Sequence, residues 1–232
     1  MRSLENFRGL SITIPHKVEA VSLVDDIDPV DREIGSINTV INDNGRLHGF
    51  GTDGPGACQA ILDSGTDIAG KRLLFLGAGG AARAIAFTAA FNHSPEEVIL
   101  LDLDESVAKN LQSDIQNSSS VFVSADAFSD RNLETAMKTA DIIIQCTPVG
   151  MSPKSDQTLV PKSLFLSHQV VFDIVYNPIK TRFLKEAEEA GLKTISGLEM
   201  FVNQAALQFE RFTGQTPPVS TMRQVVMEKL GQ

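Results

Sequence analysis

Between residues 68 and 197, short apolar runs alternate with segments of helical periodicity. The runs that predict strands are residues 71–76, 97–102, 121–123, 141–146 and 170–175. They lack polar alternation, which is typical of a parallel sheet covered by helices on both faces. The intervening residues 81–92 and 106–115 carry the spacing of helices. The pattern therefore predicts a doubly wound α/β domain.

The chain on either side of this region is patterned differently. Residues 11–14, 37–42 and 46–50 predict strands, and Asp43-Asn44-Gly45 predicts the turn of a hairpin. Pro15 suits the first turn of a helix over 16–24. Further helices are predicted over residues 54–64, 199–214 and 221–230. These elements predict a second, smaller α/β lobe.

Composition narrows the function classes. The chain has 232 residues, with 42% hydrophobic and 21% charged residues, as in ordinary globular proteins. A net charge of -9 disfavours nucleic-acid binding. Two cysteines, Cys58 and Cys146, are too few for a disulfide framework and favour a reducing, cytoplasmic setting. No apolar run predicts a membrane span or secretory signal, and the histidine spacing predicts no metal site.

A glycine-rich turn follows the strand at 71–76. The segment GAGGAA at 77–82 fits G-x-G-x-x-A. Gly77 permits a tight turn, Gly79 lets the backbone approach a pyrophosphate, and the following helix offers unpaired N–H groups. The setting predicts a dinucleotide site formed by Gly77, Ala78, Gly79, Gly80 and Ala81, against the alternative of a tight turn without a ligand.

An acidic residue closes the next strand. Asp102 follows Ala82 by 20 residues, as expected for a carboxylate that binds the adenosine ribose hydroxyls. It would repel a 2′-phosphate, and Leu103 and Asp104 supply no cation. The sequence therefore favours NAD over NADP; alternatively, Asp102 only ends the strand.

Seven separated segments resemble motifs of one family, the shikimate/quinate dehydrogenases. They are SITIPHK at 11–17, GSINTV at 35–40, GTDG at 51–54, GAGGAA at 77–82, CTPVGM at 146–151, DIVYNP at 173–178 and GLEMFVNQ at 197–204. The resemblance covers nearly the whole chain. It implies a Rossmann-type domain and reversible hydride transfer between shikimate or quinate and its 3-dehydro ketone.

The resemblance also implies residue roles. Lys17 would carry the hydroxyl proton, with Asp53 beside it, a pairing suited to proton transfer near neutral pH. The implied substrate contacts are Thr13, Asn38, Asp53, Tyr176 and Gln204. The implied nicotinamide contacts are Thr147, Ile174, Gly197 and Met200. Taken singly, each residue has an ordinary alternative: an exposed lysine, a turn, a satisfied amide or core packing.

The resemblance implies three domain segments: a partial substrate lobe at 1–53, an NAD-binding Rossmann domain at 54–197, and C-terminal helices at 198–232 that return to the substrate lobe. Family members carry about two more βα units and a Ser-x-Ser substrate clamp before the lysine motif, so we expect an N-terminally truncated lobe. An exposed sheet edge would then be covered by a second copy of the chain, giving a homodimer, or would leave the lobe weakly stable.

Two further residues depart from the family pattern. Gly51 stands where the aspartate motif usually has Asn, and Ser11 stands where the lysine motif often has Asn. Three functions remain open: an NAD-dependent shikimate/quinate dehydrogenase, a relative that binds NAD without turnover, and an enzyme for a different polyol or an amino-shikimate analogue.

Overall fold

A computed structural model describes residues 2–4 and 6–231. Its strands are β1 (Gly9–Ser11), β2 (Asp26–Ile27), β3 (Thr39–Asp43), β4 (Arg46–Phe50), β5 (Arg72–Leu76), β6 (Glu97–Asp102), β7 (Phe122–Ala127), β8 (Ile142–Gln145), β9 (Val170–Asp173) and β10 (Lys193–Ser196). Its α-helices are α1 (Pro29–Ile34), α2 (Asp53–Asp63), α3 (Gly80–Asn92), α4 (Glu105–Ser118), α5 (Asp130–Met137), α6 (Arg182–Glu189), α7 (Gly197–Thr213) and α8 (Val219–Lys229). Short 3₁₀ helices span Glu19–Leu23 and Lys162–Leu164.

The larger sheet confirms the doubly wound prediction. Its six strands are all parallel, in the order β10-β9-β8-β5-β6-β7. The chain builds outward from β5 through β7 and then returns to β8, so β5 and β8 flank the point where the strand order reverses. Ligands of such sheets bind beyond the carboxyl ends of the strands at this point.

The smaller sheet is mixed. Its order is β1-β3-β4-β2, with antiparallel pairs β1/β3 and β3/β4 and a parallel pair β2/β4. The predicted hairpin is present, and Asn44 and Gly45 occupy its turn with φ of 51° and 93°. These left-handed conformations suit asparagine and glycine.

Two sequence expectations in this lobe need correction. The N-terminal strand covers residues 9–11 instead of 11–14, because the chain leaves the sheet after Ser11 and leaves the side chain of Ile14 81% exposed. The helix expected over 16–24 is only a 3₁₀ helix at Glu19–Leu23. Three β-branched valines in that segment lower its helix propensity.

Helix α2 lies between α3 and α7 and brings the two lobes together. A Cβ at Gly54 would stand 2.4 Å from the carbonyl oxygen of Ala84 on α3, and one at Gly56 would stand 2.8 Å from the backbone nitrogen of Gln204 on α7. The two glycines therefore permit helix contacts that no larger residue allows. This packing places the first turn of α2, with Asp53, beside the first turn of α3.

The core follows the two faces of the large sheet. On one face, Phe75, Phe87, Leu100 and Phe172 are fully buried among α2, α3 and α4. On the other face, Leu74, Ile143 and Val171 pack against α5 and α6. Among the described residues, no helix is both long and apolar enough to cross a bilayer.

Candidate active site

A cavity of about 500 Å³ lies where the small lobe faces the carboxyl ends of the parallel strands. It is lined by nine of the residues implied by the resemblance: Lys17, Asp53, Gly80, Ala81, Ile174, Tyr176, Gly197, Met200 and Gln204. The chain thus gathers residues from the lysine, aspartate, nucleotide and C-terminal motifs around one space.

Lys17 and Asp53 form an ion pair at the cavity wall. Lys17 Nζ donates to Asp53 Oδ2 at 2.7 Å. The lysine and aspartate side chains are 27% and 20% exposed, so both are shielded but remain within reach of a ligand. A hydroxyl group bound beside this pair would face an ammonium donor and a carboxylate acceptor.

The buried amide of Asn38 holds Asp53 in place. Its Nδ2 donates to Asp53 Oδ1 and to Thr52 Oγ1, both at 3.0 Å. Its Oδ1 accepts from the backbone N–H of Thr52 at 2.9 Å and from the hydroxyl of Thr39 at 2.9 Å. Asn38 is only 3% exposed and does not line the cavity. In this structure its hydrogen bonds hold Thr52 and Asp53 of the aspartate motif in place.

Tyr176 and Gln204 also line this cavity. The ring of Tyr176 stacks on Phe201, with centroids 4.9 Å apart and planes at 29°. This contact fixes the ring while leaving Tyr176 43% exposed. Gln204 lies one turn further along α7 than Met200 and Phe201, on the face that lines the cavity.

The glycine turn fits a dinucleotide. Gly77 has φ of 95°, and a Cβ there would stand 2.8 Å from Thr147 Cγ2, so β5 and β8 end in close contact. A Cβ at Gly79 or Gly80 would meet nothing within 4 Å, which leaves open space before the first turn of α3. The unpaired N–H groups and positive end of the helix dipole there suit a pyrophosphate.

Asp102 touches this turn directly. Its Oδ2 accepts the N–H of Ala78 at 2.7 Å, and its Oδ1 accepts the N–H of Asp104 at 3.0 Å. The carboxylate therefore lies at the carboxyl end of β6 beside the glycine turn. Leu103 projects from the same loop and is 87% exposed.

Some predicted residues lie outside the main cavity. Thr13 lines a neighbouring groove between β1 and the first 3₁₀ helix. Thr147 is tied to Gln145 through its hydroxyl at 2.7 Å and its N–H at 2.6 Å. Gly77, Ala78, Gly79, Asp102 and Asn38 are likewise not among the lining residues of the main cavity.

Sequence reasoning missed five lining residues. They are Ile14, Pro15, Val18, Ser36 and Phe201. Ser36 lies within the asparagine motif and Phe201 within the C-terminal motif, so the motif boundaries themselves could have identified both. Ile14 and Pro15 lie within the lysine motif and Val18 directly follows it, but the sequence pattern predicted only strand and helix roles for them.

Two buried acids close to these elements have altered proton affinity. Burial raises the pKa of Asp173 to about 6, although its bonds to the Thr181 hydroxyl and the Val175 N–H oppose the shift. Burial also raises the pKa of Asp31 to about 6, partly offset by the N–H of Gly51. Desolvation is the larger cause in both cases.

Comparison with known proteins gives matches over nearly the whole chain. Residues 1–40 match the shikimate dehydrogenase substrate binding domain, and residues 197–227 match the shikimate 5'-dehydrogenase C-terminal domain. A relative from Syntrophomonas wolfei, named shikimate dehydrogenase (NADP(+)), is 42% identical over 97% of this chain and 77% of its own length.

Two solved structures have the same fold. Shikimate 5-dehydrogenase from Listeria monocytogenes, in complex with shikimate and NAD, superposes with a TM-score of 0.89 at 32% identity, covering 95% of this chain and 78% of that one. Quinate dehydrogenase from Corynebacterium glutamicum, in complex with NAD, gives 0.86 at 31% identity, covering 96% of this chain and 78% of that one. With these matches, the chain belongs to the shikimate dehydrogenase family.

Proposed function

We propose that this protein catalyses reversible hydride transfer between a nicotinamide dinucleotide and a ring hydroxyl of shikimate or quinate. The observation that carries the proposal is the Lys17–Asp53 pair, at 2.7 Å, in the wall of a cavity that also reaches the first turn of α3. A proton-handling pair and a dinucleotide cradle are the two parts that alcohol oxidation requires.

The position of each residue indicates its proposed role in cofactor binding or proton transfer. Gly79, Gly80 and Ala81 would hold the pyrophosphate through backbone N–H groups, and Ile174 and Met200 would flank the nicotinamide. The bound dinucleotide would supply the hydride acceptor. In ketone reduction, the Lys17 ammonium would give a proton to the carbonyl oxygen as the hydride reaches the carbon; in alcohol oxidation, the neutral Lys17 amine would take the hydroxyl proton back as the hydride leaves. Asp53 would keep the lysine aimed at that oxygen in both directions.

Substrate recognition falls to polar groups around the same space. Tyr176, Gln204 and Ser36 present hydroxyl and amide groups to the cavity. Thr13 and Asn38 stay proposed substrate contacts through the family resemblance, Asn38 after a shift of its present hydrogen bonds. Because one of the structural neighbours is a quinate dehydrogenase, both shikimate and quinate stay candidate substrates.

We propose NAD as the preferred cofactor. Asp102, Leu103 and Asp104 present two carboxylates and an apolar side chain where a 2′-phosphate would need a cation. The relative from Syntrophomonas wolfei is named for NADP(+), whereas the structure from Listeria monocytogenes holds NAD. The proposal of NAD therefore rests on the acidic side chains at the end of β6 and in the loop after it.

The retained pair argues against binding without turnover. A relative that only bound the nucleotide would have no need of a shielded lysine paired with a carboxylate, and the relative from Syntrophomonas wolfei is named as a dehydrogenase. Within the expected division into 1–53, 54–197 and 198–232, the return of the C-terminal helices to the substrate lobe is supported by Gln208 on α7. Its Oε1 accepts from the hydroxyl of Ser11 at 2.8 Å, and its Nε2 donates to Thr39 Oγ1 at 3.0 Å.

A homodimer through the edge of β1 stays a prediction. Among the described strands, β1 pairs only with β3, so its other edge is available for a partner strand. Sedimentation velocity of the purified chain tests it: a dimer at micromolar concentration supports the prediction, and a monomer contradicts it.

The function is tested by initial rates of reduced-cofactor formation. Shikimate and quinate are each assayed with NAD and with NADP. A panel of other polyols and amino-shikimate analogues tests whether the enzyme acts on a different substrate. We expect turnover with at least one of the two acids and a higher kcat/KM with NAD. Binding of the reduced cofactor without turnover of either acid would contradict the proposal.

A further inference from the structure

A buried acid of α1 lies directly beneath the aspartate motif. Asp31 is 6% exposed, and its Oδ2 accepts the backbone N–H of Gly51 at 2.7 Å. Helix α1 is anchored at both ends: Asp28 caps its first turn, and Gly35 closes it by donating to the carbonyl oxygen of Asp31. The carboxylate therefore projects from a fixed helix onto the segment that leads to Asp53.

Asp31 and Gly51 fit each other reciprocally. A Cβ at position 51 would stand 2.2 Å from Asp31 Oδ1 and 3.0 Å from its Cγ. No side chain can occupy position 51 while the carboxylate is there. The glycine that departs from the family pattern is thus matched by an acid that fills its space.

The segment from Gly51 to Asp53 is held from two sides. Asn38, directly before β3, binds Thr52 and Asp53 as described above, and Asp31 binds Gly51 from α1. We propose that Asp31 is a positioning residue, which replaces the missing side chain at residue 51 and holds Asp53 in the geometry that pairs it with Lys17. This inference deepens the proposed function and rests on it.

The surroundings of Asp31 make its charge consequential. The charged groups that act on it are Asp28 of its own helix, Asp53 of α2 and Arg211 of α7, the last of which also lies over the ring of Phe50 at 3.8 Å. Burial raises the pKa of Asp31 to about 6, so its charge changes as the pH passes through that value. Loss of that charge alters the field at Asp53 as well as the bond to Gly51.

The reciprocal fit is tested by a double-mutant cycle. Gly51→Asn places a side chain against the carboxylate, and Asp31→Ala removes the carboxylate. We expect each single variant to lower kcat by about tenfold or more, because small displacements of catalytic groups are costly. The Asp31→Ala/Gly51→Asn double variant should recover at least about fivefold over Gly51→Asn. Simple additivity would overturn the proposal.

Hydrogen exchange gives a readout that needs no activity. In Asp31→Ala, the N–H of Gly51 loses its acceptor, so exchange over residues 51–53 should accelerate while exchange in β5 stays unchanged. Unchanged protection at 51–53 would overturn the proposal even if Gly51→Asn does not fold. If the wild-type chain turned over no substrate, the proposed function would fail, and hydrogen exchange would still decide the role of Asp31 in this segment.

The conservative variant Asp31→Asn tests whether the charge of Asp31 matters in addition to the volume of its side chain. It keeps the size of the side chain and an oxygen that can accept from Gly51, but it removes the charge. We expect the pH profile of kcat to lose an inflection near the pKa of Asp31, while the cofactor Kd stays unchanged. Glu33→Gln is the matched control, because it removes one exposed charge from the same helix. Equal effects of both variants on the pH profile would overturn the proposal.

Discussion

Asn38 donates from its buried amide to Oδ1 of Asp53 at 3.0 Å, which leaves Oδ2 of the same carboxylate for Lys17. The two oxygens thus have different roles: Oδ1 is held by Asn38, directly before β3, and Oδ2 pairs with the lysine at the cavity wall. Since the carboxylate cannot rotate without breaking one of these bonds, the direction of Lys17 Nζ is set by the small sheet.

Removal of the Asn38 amide should loosen both the fold and the site. In Asn38→Ala, the N–H of Thr52 and Oδ1 of Asp53 lose their partner, and unsatisfied buried polar groups cost about 1–3 kcal/mol. We expect a lower midpoint of thermal unfolding together with a lower kcat. Asn110→Ala, at an exposed position of α4, is the control. Wild-type stability in Asn38→Ala would contradict this reading.

Two glycine substitutions should separate packing from cofactor binding. Gly54→Ala forces its Cβ against the carbonyl oxygen of Ala84 at 2.4 Å, so the free energy of unfolding should fall by about 1–3 kcal/mol. Gly80→Ala meets open space and should leave stability unchanged but weaken cofactor binding.

Chemical denaturation and the fluorescence of bound reduced cofactor measure the two quantities for each glycine variant. The reverse pattern, with Gly80→Ala destabilised and Gly54→Ala tolerated, would show that the helix contacts are wrongly placed.

The preference between NAD and NADP should depend on the charges at the end of β6 and in the loop after it. The Asp102→Asn/Leu103→Arg double variant removes a negative charge and adds a cation, while an oxygen remains to accept the N–H of Ala78. We expect the ratio of kcat/KM for NADP to that for NAD to rise by about tenfold or more, since a single arginine can accommodate a 2′-phosphate. Val225→Arg, which adds the same charge on α8, should leave the ratio unchanged. An unaltered ratio in the double variant would contradict the assignment of Asp102 to the ribose site.

Stability should depend on pH through the buried carboxyl of Asp173. Its pKa is about 6 in the folded chain against 3.8 in the unfolded chain, so between these values the folded state binds the proton more strongly. This residue therefore makes unfolding easier as pH rises from about 4 to 6, by at most about 3 kcal/mol.

Asp173→Asn should remove that contribution from the pH dependence of the unfolding free energy. The difference between wild type and variant, measured by denaturation at pH 4 and pH 7, isolates it from the other acids. Asp156→Asn, at an exposed position, controls for the lost charge. A wild-type pH slope in Asp173→Asn would contradict the assignment.

The Rossmann-type domain was predictable because its strands are buried on both faces. Runs such as 72–76 and 142–145 contain almost no polar residue, and the glycine turn marks where β5 ends. The helices α5 and α6 and the strand β10 were not predicted. They are short and largely polar, and their stability comes from docking a few apolar side chains onto the sheet.

The Lys17–Asp53 pair could be proposed from the sequence only through the family motifs, whereas the glycine turn was proposed from its own pattern. Lys17 and Asp53 are 36 residues apart, and nothing in their local sequences indicates that they meet. Asp31 was not predicted at all, because a single acid on a short helix looks like a solvated surface residue. Its role depends on Gly51 across the fold, and that relation exists only in three dimensions.

The most direct test of the account is the kcat of Lys17→Ala beside its affinity for reduced cofactor. Loss of a proton carrier should lower kcat by about 100- to 10,000-fold. The cofactor Kd should change by no more than about twofold, because Lys17 does not touch the glycine turn. Lys109→Ala, at an exposed site on α4, should behave as wild type. Retained turnover in Lys17→Ala, or equal loss of turnover and cofactor binding, would contradict the role given to the Lys17–Asp53 pair.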